Sequence, residues 1–296
     1  MRDLFPALMQ FWSEHDGCSG LVKIFEDEEM GKVDPRADFE GFLTQFYLSR
    51  PFPYQIGDCI TEYFNARQQA ILKQPNALDY LKGFVHHHVR PSNVILTFNY
   101  DWLLERVLHE AGLWNISDGY GFPRSILRGD QPLMEAPSDC TVLKLHGSAG
   151  WVSGHPGFHN NGEFFLQNEG IAYAGYDGCT DEHFIQFKKS PSRRTFQLPT
   201  FVKDFSTEPL PRLWRQAATA LRNAQRVVII GYSLPPSDTA TWTLLLSTLR
   251  EDQECTYYWY ESDNPKRAEE IGEQFARAGL QLNLVPCDIT RTPLPL

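Results

Sequence analysis

The sequence predicts an α/β protein, a parallel sheet flanked by helices, with an N-terminal helical region and an irregular insertion. Three observations predict it. Short apolar runs, partly β-branched, end in polar or glycine-containing segments. Each gives way to a stretch with helical period, and the alternation stops over one long interval rich in Gly, Asn, Ser and Pro. Strands alternating with amphipathic helices argue for a parallel sheet covered on both faces.

The elements follow in order. Residues 1–90 read as mainly helical: Phe39, Phe42, Leu43, Phe46 and Tyr47 recur at spacings of three and four and mark one helix face. Pro35, Pro51, Pro53 and Pro75 divide this region into several helices. After His88 the character changes. Val94, Ile95, Leu96 and Phe98 form a strand, and a helix with Leu103, Leu104, Val107 and Leu108 on its apolar face runs from Trp102 to Glu110. Val142 to Leu145 reads as a strand, Leu213 to Asn223 as a helix, and Val227 to Ile230 as a buried strand of four apolar residues. Thr241 to Leu249 is then a helix, Thr256 to Tyr260 a strand, Pro265 to Ala278 a helix and Leu282 to Val285 a last strand. Residues 91–149 and 210–296 make the core of a single domain spanning 1–296, and 150–209 the insertion beside it.

Composition narrows the function. A chain of 296 residues with 42% hydrophobic content can bury a large core. The 37 acidic residues outnumber the 27 basic ones, for a net charge of -10, and the basic pieces are as short as Lys188, Lys189, Arg193 and Arg194. A protein that binds by neutralising phosphates needs a basic face, so nucleic acid is not an expected partner. No run approaches the ~18 apolar residues of a membrane span, and Met1 to Trp12, interrupted by Asp3 and Pro6, does not read as a secretory signal. The six cysteines show no paired spacing, so a reduced cytoplasmic protein is the simplest account.

In parallel sheets the ligand sits beyond the carboxyl ends of the strands. Three strands finish in chemistry-bearing segments: Thr97-Phe98-Asn99-Tyr100-Asp101, Lys144-Leu145-His146-Gly147-Ser148 and Gly231-Tyr232-Ser233-Leu234-Pro235. As parallel neighbours they would converge on one crevice. Asn99 and Asp101, two positions apart, would both face it while Tyr100 turns the other way. His146 beside a glycine offers an imidazole as a general base. Gly231 and Ser233, ahead of a helix beginning near Asp238, offer N–H groups and a hydroxyl to a phosphate or ribose. Each feature also has a plain structural reading. Asn99 and Asp101 can cap the helix that follows, His146-Gly147 can arise by chance, and Gly231 to Pro235 can be an ordinary turn. Consecutive His86, His87 and His88 point about 100° apart on a helix and cannot share one ion, whereas His155, His159, Cys179 and His183 have zinc-compatible chemistry without a recognised spacing. Trp151 lies close enough in sequence to His146 to wall a pocket.

Taken in order, Thr-x-Asn-Tyr-Asp-x-Leu-Leu-Glu from Thr97 to Glu105, Lys-Leu-His-Gly-Ser from Lys144 to Ser148, and Ile-Gly-Tyr-Ser-Leu from Ile230 with Asp238 resemble the bacterial sirtuin-like domain family. The resemblance implies a Rossmann-like fold and NAD as substrate. It implies that His146 is the base acting at the nicotinamide ribose, that Asn99 holds that ribose or the attacking water, and that Asp101 holds the carboxamide. Gly231 and Ser233 would line the phosphate and ribose path, and Asn264 would reach the adenosine ribose. Two departures qualify it. Nothing before Asn99 matches the family's Gly-Ala-Gly loop, since Gly17-Cys18-Ser19-Gly20 follows a helix-like stretch, so NAD affinity is expected to fall. The four-cysteine zinc ribbon of protein deacylases is missing, with only Cys179 in its interval. Simple NAD hydrolysis, as in the family's members that act in antiphage defence, is therefore the leading expectation. A silent binding or assembly module, paired with a second copy or a sensor protein, comes second, and NAD-dependent deacylation third.

Overall fold

The computed structural model describes residues 4–14, 39–49, 54–115, 118–121, 127–128, 131–132, 137–153, 193–196, 210–260 and 265–287. The chain divides into two compact units, one formed by Met1–Asp79 and Arg90–Pro211, the other by Tyr80–Val89 and Arg212–Leu296. Parallel strands flanked by helices occur in both, which is the α/β class that the periodicity predicts and agrees with the Rossmann-like fold that the resemblance implies.

The first unit opens with helices α1 (Leu4–Glu14), α2 (Phe39–Ser49) and α3 (Tyr54–Leu72). Trp12 of α1 is fully buried and donates its indole N–H to the Cys59 carbonyl of α3 at 3.2 Å. Leu8, Phe42, Leu43 and Ile60 are buried with it, so the predicted face of α2 does turn inward at Phe42 and Leu43. Cys59 is held in a disulfide, which corrects the expectation of a fully reduced chain, whereas Cys140, Cys255 and Cys287 are free thiols.

Strand β1 (Val94–Thr97) pairs in parallel with β4 (Thr141–Lys144), with Val94 opposite Thr141 and Thr97 opposite Lys144. Between them come helix α5 (Leu103–Glu110) and the two-residue strands β2 (Leu127–Arg128) and β3 (Gln131–Pro132). On its other side β4 is braced by Gly119, whose carbonyl accepts the Val142 N–H at 2.7 Å. A Cβ at Gly119 would lie 2.0 Å from the Trp114 indole nitrogen, so this close approach needs glycine. Strand β5 (Gly147–Ser153) pairs antiparallel with β6 (Arg193–Phe196), and α3 packs on both. The predicted irregular interval thus contains ordered sheet at both of these places, since pairing with a distant strand satisfies a backbone whose local sequence carries little strand signal.

The second unit holds most of α4 (Asp79–His88) and α6 (Leu210–Asn223), then β7 (Arg226–Ile230), α7 (Thr239–Thr248), β8 (Glu254–Tyr260), α8 (Pro265–Arg277) and β9 (Asn283–Cys287). The three strands form a parallel sheet in the order β7-β8-β9. In the centre, β8 buries Cys255, Tyr257 and Tyr258, while β7 is half-buried rather than the fully buried strand its four apolar residues predict. Among the described residues it pairs only with β8. Gln253 donates to the carbonyls of Leu221 and Ala224 at 2.7 and 2.5 Å, closing the end of α6 onto the start of β8.

Candidate functional site

Beyond β1 the chain makes a short polar turn. The Asn99 N–H donates to Thr97 Oγ1 at 3.2 Å, and the Asn99 side chain stands exposed. Asp101 is half-buried, and its Oδ1 accepts the Leu103 N–H at 3.1 Å at the start of α5. One carboxylate oxygen therefore serves the capping role that the plain reading assigns it. Trp102 N–H is satisfied from far away in sequence by Gln68 Oε1 of α3, at 2.8 Å.

His146 sits in the turn between β4 and β5, and Gly147, with φ of 77°, occupies the left-handed conformation that favours glycine. Backbone bonds stitch this turn to the β1 end: Leu145 N–H to the Thr97 carbonyl at 2.9 Å, and Ala149 N–H to the Tyr100 carbonyl at 2.9 Å. Ser148 Oγ also donates to the Tyr100 carbonyl, at 3.3 Å. The two segments singled out in this unit are thus brought together, as parallel neighbours require. The His146 imidazole is buried, 7% exposed, with the Phe98 ring edge-on at 5.0 Å and the Tyr100 ring at 6.4 Å.

Tyr100 departs from the expected alternation. Its ring lies near the imidazole and against Phe64 at 5.5 Å, rather than turning away. The reason is that β1 ends at Thr97, so strand alternation no longer governs residues 99–101.

Sequence reasoning missed a buried charged network directly beneath these segments. Lys144, the last residue of β4, is wholly buried; its Nζ lies 2.9 Å from Glu105 Oε1 and donates to the Asp101 carbonyl. Tyr120 OH donates to the same Glu105 oxygen at 3.1 Å, and Glu105 Oε2 is buried without a hydrogen bond. Burial pushes the Glu105 carboxyl above the usual carboxylate range, outweighing the attraction of Lys144, and the nearby Asp101 charge adds to the rise. The available signal was that Lys144 and Glu105 both fall inside the motifs, although a lone lysine ending a strand ordinarily reads as solvent-facing.

In the second unit, Gly231 continues β7 with φ of 62°, its N–H donating to the Tyr258 carbonyl at 3.5 Å, and Ser233 is exposed. Leu234 adopts φ of 45° yet is fully buried, and Arg267 of α8 donates to the Ser233 and Leu234 carbonyls while pairing with Glu270 at 3.0 Å. Asp238 caps α7 by accepting the Thr241 N–H at 3.3 Å and also accepts the Tyr232 hydroxyl. The helix expected near Asp238 is therefore present, with its own N-cap.

Residues 93–282 match the family model described as a SIR2-like domain, which covers more than half of the chain. The chain belongs to the SIR2-like domain family. No curated protein matches it. SIR2-like domains use NAD as substrate in general, so an NAD-related activity follows for this SIR2-like domain. Asn264 of the expected adenosine contact, the Trp151 side chain and the His155, His159, Cys179, His183 group lie outside the described residues. Among the described residues no three His, Cys, Asp or Glu side chains are grouped to hold a metal, and no helix is long and apolar enough to cross a membrane.

Proposed function

We propose that this SIR2-like domain hydrolyses NAD to nicotinamide and ADP-ribose. The bond between the nicotinamide nitrogen and ribose C1′ breaks, its electron pair leaving with nicotinamide, and a water oxygen adds to C1′. The proton lost from the water, or from a ribose hydroxyl, passes to the His146 imidazole. Asn99 holds the ribose or the attacking water, and Asp101 presents a carboxylate oxygen to the carboxamide. Gly231 and Ser233 line the phosphate and ribose path, and Asn264 contacts the adenosine ribose. Antiphage defence in a bacterial cytoplasm is the setting proposed for this activity. The observation that carries the reading is the coupling, within a SIR2-like domain, of the His146 turn to the Asn99 turn through the Leu145, Ser148 and Ala149 hydrogen bonds.

The test is nicotinamide release from NAD by the purified chain, followed by chromatography. Wild type is expected to turn over, and His146→Ala and Asn99→Ala are each expected to lower kcat by roughly 10²-fold or more. Equal rates for wild type and both variants would overturn the assignment. A second reading, a silent binding or assembly module acting with a second copy or a sensor protein, is favoured by the burial of His146, since a base has to come within about 3 Å of its proton. Calorimetric binding of NAD without release would select that reading.

A further inference from the structure

The Lys144 and Glu105 pair has a geometry that a merely cohesive contact would not need. Lys144 lies two positions before His146 on the same strand and turn, and its ammonium reaches the carbonyl of Asp101, two positions after Asn99. Glu105 holds that ammonium from the first turns of α5, the helix that Asp101 caps, and Tyr120 holds Glu105 in turn. One ammonium therefore grips both arms of the stitched site from below. Taking two charges fully out of water is costly, and an apolar pair of similar volume is often as stable. What an apolar pair cannot do is donate to the Asp101 carbonyl. That carbonyl helps fix the backbone from which Asn99 and the Asp101 carboxylate project: the β1 and β4 ladder ends at Thr97 and Lys144, and beyond it the Lys144 ammonium adds to the Ala149 and Ser148 bonds that hold the Tyr100 carbonyl.

We propose that Lys144 and Glu105 are positioning residues for the reaction of the His146 site, an inference that rests on the NAD-cleaving reading. They set the Asn99 to Asp101 turn against the imidazole, and Tyr120 orients the Glu105 carboxylate. Removing the pair leaves the substrate-contacting groups in place chemically and displaces them geometrically. Misplacement by about 1 Å can lower a rate by roughly 10²-fold.

The experiment compares wild type with the double variant Lys144→Met/Glu105→Leu, in which no buried charge is left alone. Folding is followed by thermal melting and turnover by nicotinamide release. The expected result is a cooperatively folded variant with a somewhat lower melting temperature, since the Asp101 carbonyl loses its donor, with kcat lower by roughly 10²-fold and KM changed by less than about threefold. Unchanged kcat in the folded double variant would overturn the proposal. If the double variant does not fold, Tyr120→Phe removes a single hydroxyl from the same carboxylate. A fall in kcat of about threefold at constant KM supports the proposal, and an unchanged kcat overturns it. If wild type releases no nicotinamide, the NAD-cleaving reading fails first. Positioning is then read from the side-chain NMR signals of Asn99 and His146. They shift in whichever of these variants folds, while those of Trp242 stay fixed; unmoved Asn99 and His146 signals would sink the inference.

Discussion

At the scale of single residues, burial decides what a side chain can do. Cys140 is 2% exposed beside Asp139, and burial, with that carboxylate's charge, pushes its thiol from the ordinary 9.0 up to about 11. A thiol is the reactive species only as thiolate. Iodoacetamide at pH 8.5 is expected to leave Cys140 unlabelled in the folded chain and to label it in urea, as peptide mass spectrometry would show. The linked effect on stability has a definite sign. Because the folded value lies above the unfolded one, the contribution is complete below the ordinary thiol range and is lost as pH rises through about 11. Urea midpoints should fall over that window in wild type and less so in Cys140→Ala. The same reasoning explains why Lys144 escaped the sequence. Its partners Glu105 and Asp101 lie about forty residues earlier in the chain, and no local pattern announces that they meet it.

At the scale of elements, the two motif-bearing helices begin in different ways. Helix α7 relies on its own cap, Asp238, which also takes the Tyr232 hydroxyl, whereas α5 adds to the local Asp101 bond a distant one, from the Trp102 N–H to Gln68 of α3. Replacing Asp238 by Ala removes one cap and one acceptor of the Tyr232 hydroxyl, and is expected to cost about 1–2 kcal/mol in urea unfolding. Most elements after His88 were legible because hydrophobic period is a local property. The strand expected at Val142 to Leu145 is β4 at Thr141–Lys144, and the helix expected at Pro265 to Ala278 is α8 at Pro265–Arg277. Strand β5 was not legible. Gly147-Ser148-Ala149-Gly150 has neither alternation nor β-branching, and its pairing with β6 is settled some forty residues away. Nor could the sequence show that α3 supplies Phe64 and Gln68 to the strand-end turns, since a helix face says what is buried but not against what.

For the whole molecule, the net charge of -10 and a pI near 5.4 make the chain acidic at neutral pH, where self-repulsion favours solubility. Solubility of the purified chain is therefore expected to pass through a minimum close to pH 5.4, measured by precipitation across a pH series. The family was legible at this scale only. Neither Asn99 nor His146 nor Gly231 identifies it alone, but their order along about 130 residues does, and the structure adds how the first two are physically joined. One quiet position bears on how such a chain tolerates change. Because the Trp114 indole fills the room beside Gly119, even alanine, a single-nucleotide step from glycine, would push the indole aside or pull the loop off the Val142 amide. The strand that presents the imidazole would lose its lateral brace, so drift at a loop position outside every recognisable motif would be felt at the chemistry.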